Sequence, residues 1–275
     1  MTSESVAHTE RVRRYYDRNS AAFERLGQGQ ASIHRAVWGP GVTNRQQAFH
    51  YVDKLLLETL SPGASVVDLG CGLGASLLYL ASRIDMTGEG LTLSPKQAQR
   101  AAELASETEN VRCREGDYLA VPADLYASAD LTFSIEAFLH SPDADGYFRE
   151  ASRTLRPDGK LVICDDFLTA AGAQNTGQKL LQDFRTGWEV GSLLTVVQVS
   201  ALAEKHGLTL VRDLDLTPHL ELRRPRDRWI TAVVTLGRVF RPQGEYWRSL
   251  LGGDALQRAL VRGLLNYRFL EFKRA

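Results

Sequence analysis

A chain of 275 residues that is 44% apolar can bury the core of one large domain, or of one domain with a cap. Lys plus Arg balances Asp plus Glu at 33 each, so no net field gathers nucleic acid or an acidic membrane surface, and both are disfavoured as partners. Cys71, Cys113 and Cys164 lie in or beside apolar segments without CxxC spacing, which fits buried thiols in a reducing compartment better than a disulfide frame or a zinc site, and no metal is expected. The opening residues, MTSESVAHTERVRRYY, hold no apolar signal core, and no window reaches the ~18 uninterrupted apolar residues of a membrane span, so a cytoplasmic protein is expected.

In chain order, a helical region runs to about Leu60, with Val12, Tyr16, Phe23 and Leu26 near one face at 3.6-residue spacing. Apolar runs then alternate with helical patterns as in a doubly wound, mostly parallel α/β sheet of seven strands. Strands are expected at 65–69, 90–93, 111–114, 131–135, 161–164, 208–214 and 266–273, with helices at 75–83, 95–107, 145–155 and 199–206. A Trp- and Arg-containing insertion, 218–251, precedes the last strand. The implied organisation is a helical lid at 1–60, a core at 61–217, a helical cap at 218–253, and the last helix and strand of the core at 254–275.

The stretch VVDLGCGLG, 66–74, turns the first strand into the helix at 75–83. Gly70, Gly72 and Gly74 there remove the side chains that would keep a ligand off the backbone and the helix N-terminus. A dinucleotide fingerprint would place an acid near the end of the second strand. This chain ends that strand in Thr92-Leu93 and carries Asp68 on the first, which argues against NAD and for a ligand with an ammonium group, such as S-adenosylmethionine (SAM).

VVDLGCGLG resembles motif I of the class I SAM-dependent methyltransferases. The spacing to EGDYLAVP (115–122), LTFSIEAFLHSPD (131–143) and REASRTLRPDGKLVICDDF (149–167) is similar to that family across about 65–167. The resemblance implies a Rossmann-like methyltransferase fold that binds SAM and releases S-adenosylhomocysteine. It places Asp68 and the backbone around Gly70 and Gly72 at the methionine part, with Cys71, Gly74, Leu93 and Trp38 also cofactor-binding. Asp117 would take the adenine amino group, Tyr118 the adenine edge, and Ser134 a place beside the methionine. The GLTLSPKQ stretch resembles that of cyclopropane-fatty-acid and sterol methyltransferases, which would put Gln97 on the ribose hydroxyls; the alternative is an exposed polar residue of the helix.

For the acceptor, SIEAFLH is the informative stretch. Glu136 directly follows a buried strand, at the end of the sheet where ligands bind, and a carboxylate there is costly without a job or partner. SIEA followed by His140 is similar to the sterol C-methyltransferases; cyclopropane synthases usually have Glu-His where this chain has Leu139-His140. In terpenoid and prenyl C-methyltransferases a Glu in this place is the base, which makes Glu136 and His140 the catalytic candidates. Methylating an alkene leaves a carbocation that must lose a proton or cyclise, so the pocket should be dry and aromatic. Tyr15, Tyr16, Phe23, Phe138, Phe167 and Trp188 are the candidate substrate wall, within a wider set that includes Phe49, Tyr51, Phe184, Trp229, Tyr246 and Trp247. The segment 26–56 resembles the lid of actinobacterial terpenoid C-methyltransferases, including the geranyl diphosphate and teleocidin types. In it His34, Trp38 and His50 are candidates for the entrance, and the turn at 38–41 for a fold over SAM. Arg223 to Arg228, with Arg238, Arg241 and Arg248, would suit a diphosphate, although a salt-bridged surface explains them as well, and the acceptor is expected to be a hydrophobic prenyl or terpenoid molecule without commitment to a diphosphate. An O- or N-methyltransferase using His140 or Glu136 on a hydroxyl, and a non-catalytic SAM-binding module, stay open. A homo-oligomer is expected.

Overall fold

The structure, a computed structural model, describes residues 3–26, 34–174, 177–222, 224–240 and 244–275; for residues 3, 18–26, 225, 227, 228, 238–240 and 245 the description covers the backbone. Three helices precede the first strand: α1 (Ser3–Leu26), α2 (Arg45–Phe49) and α3 (Tyr51–Leu57). Asn44 starts α2 by accepting from the Gln47 amide, which satisfies one of the free N–H groups of its first turn. The segment before it is held as an edge. Val37 bridges Leu220, the Trp38 amide donates to His219 O at 2.7 Å, and the Val37 amide donates to Ala48 O at 2.9 Å.

The core then alternates β1 (Ala64–Leu69), α4 (Ala75–Ala81), β2 (Met86–Thr92), α5 (Pro95–Leu104), β3 (Val111–Glu115), β4 (Ala129–Ile135), α6 (Ala144–Thr154) and β5 (Leu155–Leu168). It closes with α7 (Ala170–Ala173), α8 (Gln178–Gly187), α9 (Val196–Lys205), β6 (Leu208–Asp215), α10 (Pro225–Phe240), α11 (Glu245–Val261) and β7 (Leu265–Arg274). All seven strands join one sheet in the order β3-β2-β1-β4-β5-β7-β6, with β7 running antiparallel between β5 and β6. The central strands read as near-continuous apolar runs because both their faces are covered, as the two core clusters on opposite sides of the sheet show.

Strand β5 is longer than the 161–164 read from apolar content. Its polar outer stretch is drawn into the sheet by antiparallel pairing with β7, from Lys160↔Lys273 to Leu168↔Leu265. Helix α9 begins ahead of the expected 199, because Thr195 and Gln198 form a reciprocal capping box. Helix α8 was not anticipated, although Leu180, Leu181 and Phe184 give it a buried face. That helix meets α11 at a close approach. A Cβ on Gly187 would lie 2.5 Å from the Gly252 Cα, so only glycine lets the backbones pack there, and the crossing brings Trp188 against Ser249.

Candidate active site

Strand order reverses at β1, with β2 and β3 on one side and β4 and β5 on the other. Crossover helices part at such a point and leave a crevice beyond the strands' C-terminal ends. The loop after β1 and Glu136 directly after β4 flank that crevice, and a cavity opens between them. One wall is cofactor-like: Gly70, Cys71, Gly72, Thr92, Leu93, Ser94, Gln97 and Tyr118. The opposite wall is made by Val12, Tyr15 and Tyr16 of α1 with Leu139, Trp188 and Ser249, and His34, Glu136 and His140 line the space between.

Gly70 has φ +101, outside the region open to side chains, and a Cβ there would meet the Ala137 Cβ at 2.5 Å. The Gly70 and Cys71 amides both donate to Leu91 O at 2.9 Å, which ties the bend to β2. Beneath it Asp68 is buried at 4% exposure, and no cationic side chain among the described residues pairs with it. Burial, with Cys113 and Asp53 nearby, pushes its carboxyl well above the usual range. Gln97 is buried at 3% exposure, which rules out the exposed-surface alternative: its Oε1 accepts from the Thr92 hydroxyl at 2.9 Å.

Glu136 sits in the left-handed region, φ +53, a conformation that costs a non-glycine residue about 1–2 kcal/mol and that here turns its side chain into the network at the cavity. Its Oε1 accepts from the Arg35 amide (3.0 Å), Arg35 Nε (3.3 Å) and the Tyr267 hydroxyl (2.9 Å). Burial pushes the carboxyl up, but Arg35, His34 and these donors outweigh it and hold the group below the usual carboxylate range. The remaining Arg35 nitrogens grip Asp166 at 3.0 and 2.7 Å, and the guanidinium lies 4.1 Å from the centre of the Tyr267 ring.

His140, in a 3₁₀ turn, is buried, and its pKa is pushed down to about 4 chiefly by desolvation. Its Nδ1 lies 3.2 Å from Glu189 O, and a carbonyl only accepts. Nδ1 therefore carries the proton, and Nε2 accepts from the Tyr16 hydroxyl at 2.9 Å. Helix α1 is tethered at both ends of the cavity: Ser94 Oγ donates to Asp17, His8 Nε2 donates to His140 O at 3.1 Å, and Arg11 pairs with Glu189 at 3.1 Å. Tyr16→Phe leaves the buried Nε2 unsatisfied, at about 1–3 kcal/mol. The expected result is a drop of several degrees in the thermal midpoint, measured by calorimetry against wild type.

Not every expected residue reaches the cavity. Ser134 is fully buried and shares a hydrogen bond with Tyr147 at 2.7 Å, because neighbouring residues of a strand face opposite sides and Phe133 and Ile135 take the other one. Phe138 and Phe167 are fully buried and stack at 6.3 Å in the core under the sheet. Gly74 starts α4 with φ +77, and Asp117 accepts from the Leu119 amide at 2.8 Å; neither lines the cavity. Trp38 packs with Ala36, Ala48 and Phe49, and His50 pairs with Asp53 at 2.8 Å and stacks on Tyr79, so both are structural in place of lining the entrance. Trp229 and Tyr246 are exposed. The side chains of Phe23, Leu26, Arg223, Arg228, Arg238 and Arg241 lie outside the described residues. Arg224 and Arg248 instead pair with Glu221 and Glu189, and Asp165 is taken by the Leu139 and Asp166 amides.

Arg35, Tyr267 and Ser249 were not anticipated. A buried Glu demands a cation, and Arg35 lies inside the segment already singled out, but nothing local marks which cation answers.

A family profile described as a methyltransferase domain matches residues 67–163. Methyltransferase GfsG of Streptomyces halstedii is 30% identical over 226 residues, 80% of this chain and 79% of that protein. The 2-methyl-6-phytyl-1,4-hydroquinone methyltransferase of Synechocystis is 37% identical over 109 residues, which span 40% of this chain and only 34% of the cyanobacterial protein. Among solved structures, a geranyl diphosphate methyltransferase in complex with GPP and sinefungin superposes with a TM-score of 0.75 at 20% identity, over 98% of this chain and all of that one. That likeness is one of fold.

Proposed function

Because the chain belongs to the class I SAM-dependent methyltransferases, we propose that it methylates an alkene carbon of a prenyl or terpenoid acceptor, with Glu136 as the base. The residues present fit the cofactor. A Gly70 bend that any Cβ would obstruct, a buried Asp68 carboxyl with no cation among the described residues and a buried Gln97 amide beside the cavity suit an amino acid joined to a nucleoside. Asp68 and the Gly70–Gly72 backbone would hold the methionine part, Gln97 the ribose, and Tyr118 the adenine. When bound, SAM supplies an electrophilic methyl group.

The chain's own residues do the rest. Tyr15, Tyr16 and Trp188 cover the acceptor and exclude water, and ring faces stabilise adjacent positive charge by about 0.5–2 kcal/mol each. Glu136 then takes a proton at Oε2, the oxygen without a donor among the described residues. The observation that carries this reading is how the two candidate bases are held, with three donors on Oε1 of Glu136 and the Tyr16 hydroxyl on Nε2 of His140. Glu136 is held below the usual carboxylate range and His140 at about 4, both poorly matched to removing a proton from an alcohol or phenol at neutral pH. A carbocation is so strong an acid that a carboxylate of any basicity serves.

Oxygen or nitrogen methylation is the second reading, favoured by one observation: Tyr16 already places a hydroxyl on the unprotonated Nε2 of neutral His140, as an acceptor hydroxyl would sit. Incubation with methyl-labelled SAM and prenylated indoles, prenyl diphosphates and phenols separates the two. Label on carbon is expected; label on oxygen or nitrogen transfers the assignment to His140, and no transfer to any acceptor removes both.

Turnover should also stay level from neutral pH down past 4.5, the ordinary glutamate value, because a carboxyl lowered in the fold keeps its charge through that range and loses it only further down. A stopped-time assay at saturating SAM, which keeps the raised Asp68 carboxyl out of the profile, reads this in buffers of constant ionic strength; an acid limb above that value speaks against Glu136.

A further inference from the structure

The Arg35 guanidinium reaches across the ends of three strands. It touches Glu136 after β4, Asp166 at the end of β5 and the ring of Tyr267 on β7, and its own backbone amide donates to the same Glu136 oxygen. Each of these groups is buried or nearly so, with side-chain exposures of 17% for Arg35, 16% for Glu136 and 0% for Asp166.

We infer that Arg35 is a positioning residue: it holds Glu136 as a carboxylate in one orientation, through Oε1 alone, and ties that arrangement to the docking of the segment that carries Arg35, Val37 and Trp38. Two features argue for this beyond simple charge balance. The donors converge on one oxygen, since the Arg35 amide, Arg35 Nε and the Tyr267 hydroxyl all choose Oε1, so the carboxylate plane is fixed while Oε2 keeps no protein donor among the described residues. The same residue is anchored through its neighbours, Val37 to Leu220 and Trp38 to His219, so the guanidinium arrives at Glu136 only when this segment lies against the sheet. An assembled site thus has a charged base.

The groups facing Glu136 allow a clean titration. They are Arg35 and His34 from that segment, Tyr267 from β7, Cys164, Asp165 and Asp166 from β5, His140 from the 3₁₀ turn and Tyr16 from α1. Arg35 is the permanent cation of that set, and the acids around it oppose ionisation of Glu136. The planar fork also matters: Lys offers a point charge that spans Glu136 and Asp166 poorly and stacks less well on Tyr267.

This inference rests on Glu136 as the base, but its test reads the carboxyl itself. Infrared titration of wild type, with Glu136→Gln as the blank, follows the carboxyl band without any acceptor present. In Arg35→Gln the midpoint should rise by at least about one pH unit, since removing an opposite charge at this range is worth about 1–3 units, and Arg35→Lys should fall between. The acid limb of turnover should move with it, with KM for the acceptor little changed and with raised pH restoring the lost rate, which a merely structural defect would not allow. Calorimetry with S-adenosylhomocysteine checks that each variant is folded. A midpoint unmoved in a folded variant overturns the inference; if Arg35→Gln does not fold, an unmoved midpoint in Arg35→Lys does the same. A midpoint that moves while turnover does not leaves Arg35 as the residue that ionises Glu136 and removes Glu136 as the base.

Discussion

Glu136→Gln should lower turnover of an alkene acceptor by about 10²–10⁴-fold, the usual worth of a positioned acid or base, while affinity for S-adenosylhomocysteine stays within about two-fold. The substitution is suited to the question because the amide oxygen still accepts from the Arg35 amide and from Tyr267 as Oε1 does now, and Arg35 keeps its grip on Asp166. The backbone at 136 also keeps its φ of +53, so the comparison isolates the charge; Glu136→Gly would change the backbone as well. Single-turnover assays on pre-bound cofactor separate chemistry from binding. A rate within a few-fold of wild type removes Glu136 from the chemical step and leaves its carboxylate as the partner that anchors Arg35.

Much of the sheet was legible because its strands are covered on both faces and so read as apolar runs bounded by turns, and because the glycine bend after β1 has a length and spacing that few other structures require. What stayed hidden depends on long-range pairing or on which face a side chain takes. Arg35 meets Glu136 and Asp166 across sequence separations of 101 and 131 residues, a distance over which no local pattern operates. The methyltransferase resemblance implies a place beside the cofactor for Ser134, yet alternation along β4 turns it toward Tyr147. Phe138 and Phe167 follow the same logic. An aromatic near the site by sequence is as suited to the core beneath it as to the cavity above, and these two complete a cluster with Tyr147 and Phe148. Gln97 went the other way. Its sequence pattern fits a ribose contact and a surface residue equally, and burial with a hydrogen bond to Thr92 removes the surface alternative.

Gly70→Ala should weaken S-adenosylhomocysteine binding by between about thirty-fold and about 10⁴-fold, since two costs of similar size fall on the bend that faces the cofactor. The first is conformational. At φ +101 an alanine lies beyond even the small left-handed basin, so the backbone must rotate, at about 1–3 kcal/mol. The second is steric, because the added methyl would approach the Ala137 Cβ to 2.5 Å, and overpacking of that kind costs about 1–3 kcal/mol more. Moving the 70–72 backbone away from Ala137 relieves them but breaks the paired amide bonds to Leu91 O that hold the bend against β2. Ala137 itself follows Glu136, so relief on that side shifts the base instead. The double variant Gly70→Ala, Ala137→Gly distinguishes the terms: it removes the clash but keeps the unfavourable φ, and should recover about the steric share of the lost affinity. Calorimetric titration of the single and double variants would reveal this. Wild-type affinity in Gly70→Ala would mean that the cofactor does not rest on this bend.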